Sequence, residues 1–246
     1  MKIELERRIH YSDVGPDFQT RLGVLLRLFQ DTAAYHSEQA GHGIPKLARA
    51  GLIWMLSKLH IEVNRYPAYG ETLTLRSWSR GSQGFKMPRD FTIHAGHDLI
   101  ASGSSIWFIV NTRSKKIERV PADIDAGYQA EPGCLALAGE VEDWSPYDKF
   151  DAASDVQLQT RPSDCDASRH VNNTVYWDYA CAAFAASSWA IPYKASSLKM
   201  QFSREIPADI PAVHVSLGIQ NGIIIFRIHD GNQTFARGEV KAATAA

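Results

Sequence analysis

Between Asp166 and Asn173 the chain gathers a carboxylate, a hydroxyl, an imidazole and two amides within eight residues. Asp166, Ser168 and His170 stand at alternate positions, followed by Asn172 and Asn173. These groups suit hydrolysis of an activated acyl bond, in which a base takes a proton from water and N–H donors stabilise the oxyanion that forms. Backbone N–H groups at a helix start attract negative charge, so residues 171–173 are candidate oxyanion donors. A carboxylate sheltered from water is a competent base, because burial disfavours its charge. Asp, Ser and Asn are also the usual capping residues, and capping accounts for each of them taken alone. The combination is what argues for chemistry. A second carboxylate, Glu205, closes the stretch Leu198–Glu205 just before Ile206-Pro207. Its type and spacing alone read as a surface residue beside Arg204.

Two sets of elements must position these groups. Residues 171–190 are helix-like, with Val175, Tyr176, Tyr179, Ala180, Ala183 and Phe184 on the apolar face. Strand-like stretches flank them at 154–161, 196–204, 211–219, 222–229 and 233–241. The first half has the same grammar. A strand at 2–10 precedes a helix over 20–40, marked by Leu22, Leu25, Leu26, Phe29, Ala33 and Ala34 and closed by Gly41 and Gly43. Pro45 to Ala50 would add a short helical turn, and strands follow at 52–64, 71–79, 87–95 and 99–111. Asp90-Phe-Thr-Ile-His-Ala-Gly96 resembles Ile225-Phe-Arg-Ile-His-Asp-Gly231, 135 positions further on, and Ala101-Ser-Gly103 meets Ala236-Arg-Gly238 at the same offset. Ile61 to Arg65 can be laid on Gln201 to Arg204 with a small gap. The shared order points to a duplication. The expected fold class is α+β: two tandem hot-dog modules, 1–120 and 153–246, each an antiparallel sheet wrapped around a long central helix. Residues 121–152, with Pro121, Pro132, Gly133 and Pro146, are expected to link them.

The chain has 246 residues, 45% hydrophobic and 22% charged, with a formal net charge of −1. That near-neutral balance argues against nucleic-acid binding, which ordinarily shows a basic stripe. The cluster Arg113, Lys115, Lys116 and Arg119 is interrupted and reads as solvated surface. Cys134, Cys165 and Cys181 form neither a disulfide framework nor a zinc knuckle, so a reducing compartment fits. The histidines are scattered and no Gly-rich phosphate loop occurs, so no metal and no cofactor is expected. The N-terminus lacks the apolar core of a secretory signal, and no stretch reaches the ~18 apolar residues of a membrane span. The expectation is a complete cytoplasmic protein without membrane insertion, monomer or homodimer.

The segment Asp166-Ala-Ser-Arg-His170-Val-Asn-Asn-Thr-Val-Tyr176 resembles the Asp-x-Asn-x-His-Val-Asn-Asn-x-x-Tyr signature of the acyl-acyl-carrier-protein thioesterases. Phe29-Gln-Asp-Thr-Ala-Ala-Tyr-His36 is similar to their first hot-dog helix, and Trp54–Pro67 and Trp107–Pro121 to their first sheet. The resemblance implies a double hot-dog fold, no metal or organic cofactor, and hydrolysis of a fatty acyl thioester on acyl carrier protein, which ends chain elongation. It places Asp166, His170 and Glu205 in the catalytic set; Ser168 stands beside them, and Asn172 and Asn173 are the oxyanion candidates at the helix start. It also implies an acyl chain held in the first module, for which Leu25, Phe29, Trp54 and Leu56 are candidates, although ordinary core packing also explains them. Arg161, Arg169, Lys194 and Lys199 would meet the acidic carrier. Two departures matter. Ser168 replaces the signature's Asn, a hydroxyl for an amide, and Ile206 stands where plant members often have Cys, which excludes a thiol nucleophile there. The alternatives are an acyl-CoA thioesterase of the wider hot-dog group, a hot-dog hydratase, and a non-catalytic acyl-binding protein.

Overall fold

The structure, a computed structural model, describes residues 1–139, 141, 143–147, 149–187, 189 and 194–242. The chain divides into two compact units, Met1–Asp143 and Trp144–Ala246. In the first, β1 (Ile3–Arg8), α1 (Leu22–Gln39) and α2 (Ile44–Arg49) precede β2 (Leu52–Val63), β3 (Thr72–Ser79), β4 (Lys86–Ala95) and β5 (Asp98–Asn111). A two-residue strand, β6 (Ile117–Glu118), and a short helix, α3 (Ala122–Gly127), follow. In the second, β7 (Ser154–Gln159) and α4 (Val175–Ala186) precede β8 (Ala195–Phe202), β9 (Ala212–Gln220), β10 (Ile223–His229) and β11 (Thr234–Ala242).

The same strand order occurs twice, β1-β3-β4-β5-β2 in the first unit and β7-β9-β10-β11-β8 in the second, with all neighbours antiparallel. Each unit is a hot-dog: a curved antiparallel sheet against one long helix. Leu22, Leu25, Phe29 and Ala33 put the apolar face of α1 in the core, and α1 packs on β3. In the second unit Val213, Val215 and Leu217 of β9 are fully buried, and α4 lies on β7, β9 and β10 with Tyr176, Trp177, Tyr179, Ala180, Ala183 and Phe184 buried. The duplication is visible in the register. Phe91 pairs with Gly103 across β4 and β5, and Phe226 pairs with Gly238 across β10 and β11, at the 135-residue offset read from the sequence. Both glycines let a ring lie flat on the strand. A Cβ at Gly103 would stand 2.3 Å from Phe29, which stacks on Phe91 at 4.6 Å, and one at Gly238 would stand 2.2 Å from Phe226.

Two sequence expectations need correction. The segment 121–152 is not simply a linker: its first part forms α3, and Ile124 and Tyr128 join Leu47, Met87, Ile109 and Val120 in a buried cluster. A helix of six residues with one buried apolar position is too short to show a period. The second long helix begins at Val175, four residues later than expected, because Asn172 and Thr174 hold a turn before it; the expected end at 190 lies outside the described residues.

Candidate active site

The loop from Arg161 to Thr174 is built on one buried carboxylate. Asp164 is 3% exposed and accepts from the Arg161 backbone N–H at 2.9 Å, Arg161 Nε at 3.0 Å and the Tyr179 hydroxyl at 2.7 Å. Its carbonyl oxygen accepts from Asn172 N–H at 2.9 Å. Burial, and then Asp164, raise the Tyr179 phenol, which therefore keeps its proton and donates it to Asp164. Cys165 bridges to Val171, so the segment between them folds back as a tight hairpin, and Arg169 at its tip takes a positive φ of 63°.

Within that hairpin the Asp166 carboxylate is exposed and accepts three hydrogen bonds. Ser168 donates its backbone N–H at 2.8 Å and its hydroxyl at 2.5 Å to Oδ1, and Asn172 Nδ2 donates to Oδ2 at 3.2 Å. The hydroxyl at Ser168 thus reaches Asp166 directly. Asn172 is fixed at both ends of its amide, because its Oδ1 accepts from the N–H and the hydroxyl of Thr174 at 3.0 and 2.8 Å. Asn172 therefore holds a local turn just ahead of α4 and accepts from the residue before the helix, not from a helix N–H.

His170 leaves the hairpin on the other side. The strand end beyond β8 is drawn to it: Val171 N–H donates to Ile206 O at 2.9 Å, and His170 bridges to Pro207. This pairing sets Glu205 opposite His170, with Glu205 Oε2 3.2 Å from His170 Nε2 and the side chains 42% and 30% exposed. A carboxylate oxygen only accepts, so Nε2 carries the hydrogen. Tyr176, absent from the candidate set although it closes the signature, holds this strand end from below. Its hydroxyl donates to Arg204 O at 3.3 Å and accepts from Ile206 N–H at 3.0 Å, which brackets Glu205 on both sides. Burial pushes the Tyr176 phenol far up, with smaller contributions from Glu205 and Asp166, so its proton stays in place.

The structure narrows several expectations. Neither Asp166 nor Glu205 is sheltered from solvent, so the desolvated base expected from the sequence is not what the loop builds. Of the proposed oxyanion donors, the N–H groups of Val171 and Asn172 already serve Ile206 O and Asp164 O; among the described residues the N–H of Asn173 meets no acceptor. Leu25, Phe29 and Leu56 lie in the first unit's core, at 0%, 3% and 7% exposure, while Trp54 is half-buried beside Tyr128. Arg161 is paired with Asp164, and Arg169 is exposed at the hairpin tip. A different trio, Ser216, His229 and Asp155, has the residue types of a nucleophilic triad but the wrong proton order. Ser216 donates to Asp155 at 2.6 Å, and His229 Nδ1 accepts from Gly231 N–H, so its Nε2 carries a hydrogen and faces Ser216 at 2.8 Å as a donor.

The first unit builds the same loop without these groups. Asp13 accepts from His10 N–H as Asp164 does from Arg161, Val14 bridges to Thr20 as Cys165 does to Val171, and Phe18 takes a φ of 57° where Arg169 takes 63°. Gly15 N–H donates to Gln19 O as Asp166 N–H does to His170 O, and Gln19 bridges to Ala68 as His170 does to Pro207. In that correspondence Gly15 stands for Asp166, Asp17 for Ser168, Gln19 for His170 and Tyr66 for Glu205.

A fold of two hot-dog units with one polar loop is the architecture of double hot-dog thioesterases. The family models agree in both halves: residues 2–128 match the acyl-ACP thioesterase N-terminal domain and residues 147–244 the acyl-ACP thioesterase C-terminal domain. The chain belongs to the acyl-ACP thioesterase family. Its curated relatives include an acyl-[acyl-carrier-protein] hydrolase, FATB3, of Cuphea viscosissima, 28% identical over 67% of this chain and 42% of the relative. Another is a dodecanoyl-[acyl-carrier-protein] hydrolase of Cinnamomum camphora, 25% identical over 80% of this chain and 54% of the relative. The chain thus spans about half the length of the curated relatives it matches. Among solved structures, a 12:0-ACP thioesterase from Umbellularia californica superposes with a TM-score of 0.83 at 20% identity, over 98% of this chain and 96% of that one. An acyl-ACP thioesterase from Bacteroides thetaiotaomicron gives 0.81 at 18% identity, over 98% and 97%. These likenesses bear out the tandem hot-dog fold. No helix among the described residues is long and apolar enough to cross a membrane.

Proposed function

We propose that this protein hydrolyses the thioester of a fatty acyl group on acyl carrier protein, releasing the free fatty acid. Family membership supports the reaction, and the observation that carries the site is the His170–Glu205 contact beside the Asp166–Ser168–Asn172 network. Asp166 already accepts three hydrogen bonds, whereas Glu205 is oriented by His170 through one oxygen and keeps Oε1 for water. Glu205 is therefore the assigned base. Water held by Glu205 attacks the thioester carbonyl, the C–O bond forms, and the proton passes to the carboxylate. Collapse of the tetrahedral intermediate breaks the C–S bond, and the departing thiolate takes that proton. Asn173 N–H and the second Nδ2 hydrogen of Asn172 are the donors assigned to the oxyanion. Asp166 and Ser168 position Asn172. His170 positions Glu205.

The acyl chain is assigned to the first unit, and Arg169 to contact with the acidic carrier. A sparse, odd set of three cysteines supports a reducing, cytoplasmic setting. The test is turnover on carrier-protein and coenzyme A thioesters from butyryl to stearoyl. Glu205→Gln should lower kcat by roughly 10²–10⁴-fold, and Asp166→Ala, which loosens Asn172 but leaves the base, should lower it less. A folded Glu205→Gln variant with unchanged kcat would overturn the assignment of the base, and no turnover by the wild type on any substrate would overturn the activity.

A further inference from the structure

The interior of the first unit holds hydrogen-bond donors that its own side chains leave unmatched. His36, on the α1 face that also carries Leu25, Phe29 and Thr32, is fully buried. Its Nδ1 lies 2.7 Å from Arg89 Nη1. A guanidinium only donates, so Nδ1 accepts and the hydrogen of the neutral ring sits on Nε2. Burial, followed by the Arg89 charge, pushes the imidazole down to about 3, so the ring is neutral throughout the ordinary pH range. Among the described residues that buried Nε2–H meets no acceptor, and neither does the buried Nε1–H of Trp54. Both rings stand edge-on to Tyr128, with centroids 5.1 and 6.3 Å away. The Arg89 guanidinium lies 5.1 Å from the centroid of the same ring and donates to Ser77 Oγ at 3.0 Å, while the Tyr128 hydroxyl is engaged with Ser37 Oγ at 2.8 Å.

Native interiors leave few donors unmatched, because each is destabilising where it stands. Here two of them flank one aromatic ring beside a buried cation. Such a surround fits an oxygen acceptor. Trp54 and Leu56 occupy alternate positions of β2, on the element expected to line the acyl chain, so the acceptor belongs on that chain. We propose that His36 and Trp54 form a subsite for an oxygen carried on the acyl group, a hydroxy or oxo substituent, and select oxygenated acyl thioesters over plain ones. This rests on the thioesterase reading above.

The experiment compares kcat/KM for pairs of acyl thioesters of equal length, plain and with a hydroxyl or oxo group walked along the chain. Wild type, Trp54→Phe and His36→Asn are assayed together. Phe keeps an aromatic ring without the N–H, and Asn keeps an acceptor for Arg89 without the Nε2–H. One oxygenated position should be preferred by about tenfold or more in the wild type, and each substitution should cut that ratio by roughly two- to tenfold. A ratio near one at every position, or a ratio that neither substitution moves, would overturn the subsite and leave a buried water as the acceptor. If no thioester is hydrolysed, the parent reading fails. Calorimetric binding of the matching free hydroxy and plain fatty acids to the same three proteins then decides the subsite by the same ratio.

Discussion

His36 makes the stability of the first unit depend on pH, and the dependence can be worked out. In the unfolded chain a histidine titrates near 6.5, whereas in the fold burial and the neighbouring Arg89 hold His36 at about 3. Between those values the unfolded chain binds a proton that the native state does not. Stability from this group is therefore complete above the unfolded value and is lost as pH falls towards the native one. The slope is about 1.36 kcal/mol per pH unit. From pH 7.5 to 5.0 the solution passes 1.5 units below the unfolded value, so the loss is about 2 kcal/mol. The control is His36→Asn, which does not titrate and leaves Arg89 an acceptor. Removing the ring destabilises at every pH, but that offset cancels when each protein is compared with itself. Hydrogen exchange of the α1 amides at rising urea, at both pH values, reads the local opening free energy. The wild type should lose about 2 kcal/mol more than the variant between pH 7.5 and 5.0. Losses that agree within about 0.5 kcal/mol would refute the reasoning, since His36 would then be protonated in the native state or exposed to water.

Two further substitutions test the frame of the site and the duplicated close approach. Tyr176→Phe removes the acceptor of the buried Ile206 N–H, which should cost about 1–3 kcal/mol in stability and lower kcat while KM changes little. An unchanged kcat in steady-state kinetics would mean that Glu205 is held by other contacts. Gly238→Ala places a Cβ 2.2 Å from Phe226 Cζ and 2.9 Å from the Lys199 carbonyl, whereas Gly103→Ala meets only Phe29 side-chain atoms among its three nearest. A ring can tilt and a carbonyl in a ladder cannot, so Gly238→Ala should be the more destabilising of the two, by at least about 1 kcal/mol in urea unfolding; the reverse order would show that Phe29 has no room to move.

Periodicity made most of the fold legible. α1 and the strands of both units carry repeating apolar positions over many residues, and their extents came within a few residues of those observed. Of the elements without a period, α2 is expected from Pro45 to Ala50, but α3 is not. α3 buries Ile124 alone, and the start of α4 was misplaced because an Asn side chain, rather than a helical N–H ladder, holds residues 172–174. The site was legible where its residues are contiguous, from Asp166 to Asn173. Glu205 lies 35 positions beyond His170, and the backbone pairings of Val171 with Ile206 and of His170 with Pro207 bring the two together. Family resemblance supplied what spacing could not. His36 shows the opposite limit: its place on a helix is legible, but nothing in a sequence says which ring nitrogen will lack a partner.

The duplicated loop bears on the choice between capping and chemistry that the sequence left open. If Asp166 and His170 served only to shape the hairpin, a hairpin of the same shape would need them. The first unit has that hairpin, with the same anchoring Asp, the same backbone hydrogen bonds and the same positive φ at its tip, yet it carries Gly15 and Gln19 at those two positions and Tyr66 in place of Glu205. Asp13 and Asp164 are what the two copies share, and they are the residues that accept from the backbone at the loop's start. The frame is thus maintained by one buried or half-buried carboxylate and main-chain bonds, which leaves the positions of Asp166, His170 and Glu205 free of a folding requirement. A carboxylate, an imidazole and a second carboxylate kept together in one copy, on a frame that does not need them, are support for a role in the reaction rather than in the loop.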